Sequence, residues 1–200
     1  MFTGIIEQMG RIQAVTKEGS NRTFWIEADL GQEVKIDQSV AHNGVCLTVV
    51  AVENEGPSTR YAVTAIEETL LKTNVGQWAS GSLVNLERCM PAHGRFDGHI
   101  VQGHVDQIGS LIAVEDKQGS WVLTIQYDPS LGNITVEKGS ICVNGISLTV
   151  VNSLDDRFSV AIIPYTWEHT NLHALQLGDY VNLEFDILGK YMQKIMRQTR

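Results

Sequence analysis

Scarcity sets the first limits on this 200-residue chain: it has three cysteines, four prolines and only 7% aromatic residues. Cys46, Cys89 and Cys142 are odd in number and lack metal-ligand spacing, which argues against a disulfide framework and for a reducing, cytoplasmic setting. No apolar run approaches the ~20 residues needed to cross a bilayer, so no membrane is expected as a partner. The first residues, Met1-Phe2-Thr3-Gly4-Ile5-Ile6-Glu7, lack the basic stretch and long apolar core of a secretory leader. Lysine and arginine form no cluster before the last turn, and the net charge is −8 with a pI near 5.2. Backbone neutralisation of nucleic acid needs a basic face, so nucleic acid is excluded as well. No glycine-rich phosphate loop, Ser-His-Asp order or dinucleotide fingerprint is present.

The chain does have an internal repeat. Thr3-Gly4-Ile5-Ile6-Glu7 returns as Gln102-Gly103-His104-Val105-Asp106. Asn43-Gly44-Val45-Cys46-Leu47-Thr48 returns as Asn144-Gly145-Ile146-Ser147-Leu148-Thr149. Asn74 followed by Val84-Asn85-Leu86-Glu87 returns as Asn171 followed by Val181-Asn182-Leu183-Glu184. Colinear blocks of this kind mean a duplicated fold. Function then resides in the differences between copies, and the sharpest are Ile5 against His104, Cys46 against Ser147 and Cys89 against Asp186.

Short apolar runs rich in β-branched residues, at 23–28, 46–52, 60–65 and 83–87 and again at 121–126, 147–151, 157–162 and 180–185, predict strands separated by turn residues. Their spacing suits a small antiparallel barrel in each copy. The segments 67–74 and 164–172 interrupt the pattern with helical character. Asn43-Gly44 and Asn144-Gly145 tolerate positive φ and set tight turns. Pro and Gly make 90–98 a loop between the copies. After the second copy, Ile187, Leu188, Tyr191, Met192, Ile195 and Met196 form one helical stripe. A lone helix of that length is marginal in water and must bury its stripe on its own domain or on another subunit.

Several residues could carry chemistry, and each has a bland alternative. Cys46 and Ser147 could be small strand residues, yet each follows a Gly where backbone can approach a ligand closely. A thiol or hydroxyl there could hydrogen-bond a substrate or act as a nucleophile beside a base. His93, His99 and His104 cluster without zinc spacing, so no metal is expected. His99 reads as a structural histidine, whereas His104 replaces Ile5 and is the better candidate for proton transfer. Asp186 ends a strand where the first copy has Cys89, and Glu137 and Lys138 read as turn charges.

Taken together, the blocks 1–7, 39–49 and 98–104, with Asn144-Gly145-Ile146-Ser147-Leu148-Thr149, Ile163-Pro164-x-Thr166-x-x-x-Thr170 and Asn182-Leu183-Glu184-x-Asp186, resemble the riboflavin synthase family over nearly the whole chain. The resemblance implies an all-β fold of two tandem six-stranded antiparallel Greek-key barrels of the flavin-reductase type plus a C-terminal helix. The domains would be 1–97 (with a linker at 90–97), 98–186 and a trimerisation helix at 187–200. It implies a transferase that dismutates two molecules of 6,7-dimethyl-8-ribityllumazine per active site, without metal or redox cofactor. A homotrimer and lumazine synthase are the implied protein partners. A non-catalytic lumazine-binding antenna protein of the same fold is the alternative.

By the same resemblance, Cys46 lies at the N-barrel site, and His104, Ser147, Thr149 and Asp186 lie at the C-barrel site. Gly4, Ile5, Ile6, Ser39, Leu47, Thr48, Thr64, Ala65, Ile66, Glu67, Glu68 and Thr69 would contact substrate in the first copy. Gly103, Val105, Lys138, Gly145, Ile146, Ile163, Pro164, Tyr165, Thr166, Trp167 and Glu168 would do so in the second. Some members of the family carry two adjacent cysteines where this chain has Val45-Cys46.

Overall fold

Alternation of apolar and polar residues drives both halves of the chain into closed barrels in the computed structural model, which describes residues 1–30, 34–53 and 59–198. The first barrel consists of β1 (Gln8–Glu18), β2 (Asn21–Ala28), β3 (Ser39–His42), β4 (Val45–Glu53), β5 (Thr59–Ala65) and β6 (Leu83–Arg88). Its strands close in the order β1-β2-β5-β4-β3-β6, all pairs antiparallel. The second consists of β7 (Gln107–Asp116), β8 (Trp121–Gln126), β9 (Ser140–Val143), β10 (Ile146–Val151), β11 (Arg157–Ile162) and β12 (Tyr180–Phe185), closed in the corresponding order. One irregularity repeats as well. The β1:β2 ladder shifts register between Ile12 and Ala14, and the β7:β8 ladder shifts between Leu111 and Ala113.

Each barrel is filled by its own inward side chains. Ile12, Phe24, Ile26, Val49, Tyr61 and Leu86 pack the first, and Leu111, Leu123, Ile125, Ile141, Phe158 and Leu183 the second. The first barrel also buries a polar pair, His42 and the Tyr61 hydroxyl. His42 Nδ1 meets the Val40 carbonyl at 3.0 Å and Nε2 meets the Tyr61 hydroxyl at 2.8 Å. Complete burial pushes the imidazole down to about 3, so it is neutral and the Tyr61 hydroxyl donates to Nε2.

The expected helical segments are each split. α1 (Glu67–Lys72) is followed by a 3-10 turn at Asn74–Gln77, and α2 (Pro164–His169) by one at Asn171–Ala174. Thr73 and Thr170 divide them: both are extended, and each side chain accepts the backbone N–H two residues on. α3 (Ile187–Gln198) follows β12 directly, and its stripe stays open: Leu188, Tyr191, Met192, Ile195 and Met196 are each 60–65% exposed. No helix among the described residues is long and apolar enough to cross a membrane.

Six asparagines lock the barrels together. Asn85 Nδ2 donates to the Asn144 carbonyl and to Asn171 Oδ1, both at 2.9 Å, and Asn171 returns its backbone N–H to Asn85 Oδ1 at 2.7 Å. Asn182 Nδ2 donates to the Asn43 carbonyl and to Asn74 Oδ1, both at 2.9 Å, while Asn74 N–H donates to Asn182 Oδ1 at 2.7 Å. All six are buried, so each bond is shielded from water and each missing one would leave a desolvated polar group.

Candidate functional site

The segments that lead into β1 and β7 determine where the sites lie. Phe2 and Val101 pair across the seam, with N–H to carbonyl distances of 2.8 and 3.1 Å, and both are fully buried. From that crossing each arm reaches into the opposite barrel. Ser147 N–H donates to the Gly4 carbonyl at 2.8 Å, and Cys46 N–H donates to the Gly103 carbonyl at 2.9 Å. Ile6 packs against the core of the second barrel, and Val105 against that of the first. Only glycine fits the approach. Gly4 (φ 78°) and Gly103 (φ 82°) are left-handed, and a Cβ on them would lie 2.6 Å from the Cβ of Ser147 and of Cys46 respectively.

His104 follows Gly103, whose carbonyl meets Cys46 of the first barrel, while its own backbone N–H donates to Glu184 of the second at 2.8 Å. Ile5 follows Gly4, whose carbonyl meets Ser147, and lines the cleft that Ser39 and Cys89 also line. His104 and Ile5 are both exposed, as groups facing a ligand must be.

Ser147 is partnered by His99, which the sequence alone reads as structural. His99 Nδ1 lies 2.7 Å from Ser147 Oγ. Burial lowers the His99 pKa, and the negative charge of Asp186 opposes that shift. His99, Ser147 and Asp186 thus form one cluster in the second barrel. Thr149 is exposed opposite Ser140, two residues along β10 from Ser147. The corresponding cluster in the first barrel is Cys46 with Ser39 and Cys89. Burial raises the Cys46 pKa, and a hydrogen bond from Ser39 partly opposes it. The thiol therefore keeps its proton at neutral pH.

The remaining predicted contacts ring these clusters. Leu47 and Ile146 are buried on β4 and β10, while Thr48 is exposed opposite Ser39. Thr64 bonds Thr23 Oγ1 at 2.8 Å, and Ala65 is fully buried behind it. Ile66 and Ile163, at the mouths, are 54% and 60% exposed. Glu67, Glu68 and Thr69 lie on α1, where Glu68 pairs with Lys72 at 2.9 Å. Pro164 opens α2, Tyr165 stacks on His169, Trp167 stacks on Trp121 at 4.5 Å, and Thr166 and Glu168 complete the turn. Lys138 (φ 65°) precedes β9 and is exposed. A cleft of about 650 Å³, lined in part by Ile5, Ser39, Cys89 and Arg95, adjoins the first cluster. Among the described residues no three histidines, cysteines or carboxylates gather as metal ligands.

The two barrels thus carry unlike groups at corresponding positions, Cys46 with Ser39 in the first and Ser147 with His99 in the second. Comparison with known proteins points the same way. A family model described as a lumazine binding domain matches residues 3–89 and again 102–186. The riboflavin synthase of Actinobacillus pleuropneumoniae is 43% identical over 197 residues, covering 98% of this chain and 90% of that protein. The riboflavin synthase of Mycobacterium tuberculosis (strain ATCC 25618 / H37Rv) is 40% identical and covers the full length of both. Among solved structures, LumP complexed with riboflavin superposes with a TM-score of 0.83 at 24% identity, over 92% of this chain and 99% of that one, a likeness of fold.

Proposed function

The chain belongs to the riboflavin synthase family, with both of its lumazine-binding domains in tandem, and on that premise we propose how its paired pockets do the work. The protein is a transferase. Two molecules of 6,7-dimethyl-8-ribityllumazine dismutate: one gives a four-carbon unit to the other, yielding riboflavin and 5-amino-6-(D-ribitylamino)uracil. Donor and acceptor are the same compound, so duplicated barrels bind both by like contacts. They must react differently, which is why the reactive residues differ. The observation that carries this reading is the pairing of Cys46 with the Gly103–His104 arm and of Ser147 with the Gly4–Ile5 arm.

The reaction needs a base for the acidic C7-methyl proton of one lumazine and hydrogen-bond donors for the charge that develops on the ring. Neutral His99 beside Ser147 Oγ suits proton transfer, with Ser147 presenting its hydroxyl to the heterocycle and Asp186 orienting a polar group of the ligand. In the other pocket the protonated Cys46 thiol is a weak donor, not a thiolate nucleophile, and His104 handles a proton or positions water. Thr149, Ser39 and Lys138 shape the pockets. Holding two rings face to face contributes by proximity, worth on the order of 10⁵ M in effective molarity when well aligned.

The open stripe of α3 supports a homotrimer, in which the first barrel of one subunit faces the second barrel of its neighbour. Truncation after Asp186 should then give a smaller species by sedimentation; an unchanged trimer would contradict that role. Three free cysteines fit a cytoplasmic setting. Association with lumazine synthase is a further proposal from the family, checked by co-sedimentation of the two proteins. The test of the activity itself is to mix purified protein with the lumazine. Continuous release of riboflavin is expected, whereas stoichiometric fluorescent binding without turnover would mean an antenna-type binder.

A further inference from the structure

Two buried carboxylates take no part in the chemistry above. Glu87 on β6 is 5% exposed and Glu184 on β12 is 3% exposed, at corresponding positions in the two copies. Neither fills the apolar interior of its barrel. Glu87 accepts from Thr3 N–H at 2.7 Å, Thr3 Oγ1 at 3.1 Å and Gly4 N–H at 3.0 Å. Glu184 accepts from Gln102 N–H at 2.6 Å and from Gly103 and His104 N–H at 2.8 Å each. Successive backbone donors aimed at one carboxylate form an anion-binding concavity, here filled by the protein's own side chain.

The arms held in this way do not serve the barrel that holds them. Thr3-Gly4, gripped from the first barrel, delivers a carbonyl to Ser147 of the second; Gln102-Gly103-His104, gripped from the second, delivers one to Cys46 of the first. Resting on the reading of these pockets as the two lumazine sites, we propose that Glu87 and Glu184 are positioning residues that act crosswise, each fixing from one barrel the arm that completes the pocket of the other. The local cause is geometric. Glu87 bonds Thr3 and Gly4, not Ser147, and Glu184 bonds Gln102, Gly103 and His104, not Cys46. The charge of Glu184 acts on the Cys46 thiol only by raising its pKa, so the hold on the backbone there runs through the arm. A glutamine of nearly equal volume would turn one acceptor into a donor facing backbone N–H groups. The grip fails there without a change in packing volume.

The experiment uses the full chain in its native oligomer, as wild type, Glu87→Gln, Glu184→Gln and the carboxylate-retaining Glu87→Asp and Glu184→Asp. Hydrogen exchange by mass spectrometry, without ligand, reads peptides over 144–149 and 43–48. Glu87→Gln should speed exchange at 144–149 by about tenfold or more and leave 43–48 unchanged, and Glu184→Gln should do the reverse. With 6,7-dimethyl-8-ribityllumazine, both Gln variants should lose about tenfold or more in kcat, and the Asp variants should recover part of it. Deprotection confined to the barrel that carries the substitution, equal deprotection of both peptides, or normal turnover despite crossed deprotection would each overturn the proposal. If a Gln variant fails to fold, its Asp counterpart is read by the same crossed pattern. A wild type that makes no riboflavin would refute the enzymatic reading alone, because the exchange pattern needs no substrate.

Discussion

Gly4 gives its carbonyl oxygen to the amide of Ser147 at 2.8 Å, so residues from the two halves of the chain, each leading into or belonging to a different barrel, meet at one point. The same bond joins Gly103 and Cys46 on the other side of the seam. These two contacts are therefore shared by both barrels.

The closeness of that contact gives a first prediction. Gly4→Ala places a Cβ 2.6 Å from the Cβ of Ser147 and forces a left-handed backbone on a residue with a side chain. A loss of about 1–3 kcal/mol in stability is expected from strain alone. Riboflavin formation should fall far more than in Ile5→Val, whose side chain is already exposed. Thermal unfolding and steady-state kinetics on both variants check this.

His42 and Tyr61 offer a second, because the second barrel has Val143 and Phe158 in their places. His42→Val alone strands a buried hydroxyl and should cost about 1–3 kcal/mol, while His42→Val with Tyr61→Phe should be close to neutral. The pH dependence follows from linkage. His42 is neutral in the folded chain down to about 3, but an unfolded chain takes up a proton below about 6.5. Its contribution is present above that value, and stability falls by roughly 1 kcal/mol per pH unit as pH drops toward 3. Urea unfolding across pH should show this slope in wild type and a reduced one in the double variant.

A third concerns His99. Its lowered pKa keeps it neutral, hence able to accept a proton, to below the ordinary histidine value. The acid limb of kcat/KM should lie below pH about 6.5. Asp186→Asn removes the charge that holds the His99 pKa up, so the limb should move to still lower pH. His99→Asn should abolish the limb together with most activity. A limb that stays in place in Asp186→Asn would separate the carboxylate from His99.

The asparagine lattice gives a fourth. Asn182→Ala deletes the side-chain bonds to Asn43 and Asn74 and leaves Asn74 N–H buried without an acceptor. A loss of about 2–4 kcal/mol is expected. Half-buried Asn133, which takes no part in the lattice, should cost less when replaced by Ala.

Much of the fold could be read from periodicity. The segments 121–126, 157–162 and 180–185 are strands with the bounds that their β-branched runs suggest. β1 and β7 could not be read that way, because Gly10 and Gly109 break their runs and the bulges after Ile12 and Leu111 shift the alternation. β3 and β9, four residues each, are too short to show a period. The repeat correctly matched Gly103–His104 to Gly4–Ile5, yet which barrel an arm completes depends on pairing between distant residues, and no local pattern encodes it. His99 lies outside the matched blocks, so comparing the copies could not single it out; Gly98 beside it, where a Cβ would meet Ser147 Oγ at 2.9 Å, was the available signal. Asn43 and Asn144 read as turn formers and are left-handed, but they also hold the seam, a role visible only when six distant asparagines are seen together.

The most direct measurement is the product ratio under continuous turnover of 6,7-dimethyl-8-ribityllumazine by the purified protein, followed by chromatography with no cofactor added. One riboflavin and one 5-amino-6-(D-ribitylamino)uracil for every two lumazines consumed is the expected result. Lumazine that binds tightly and is recovered unchanged would contradict it.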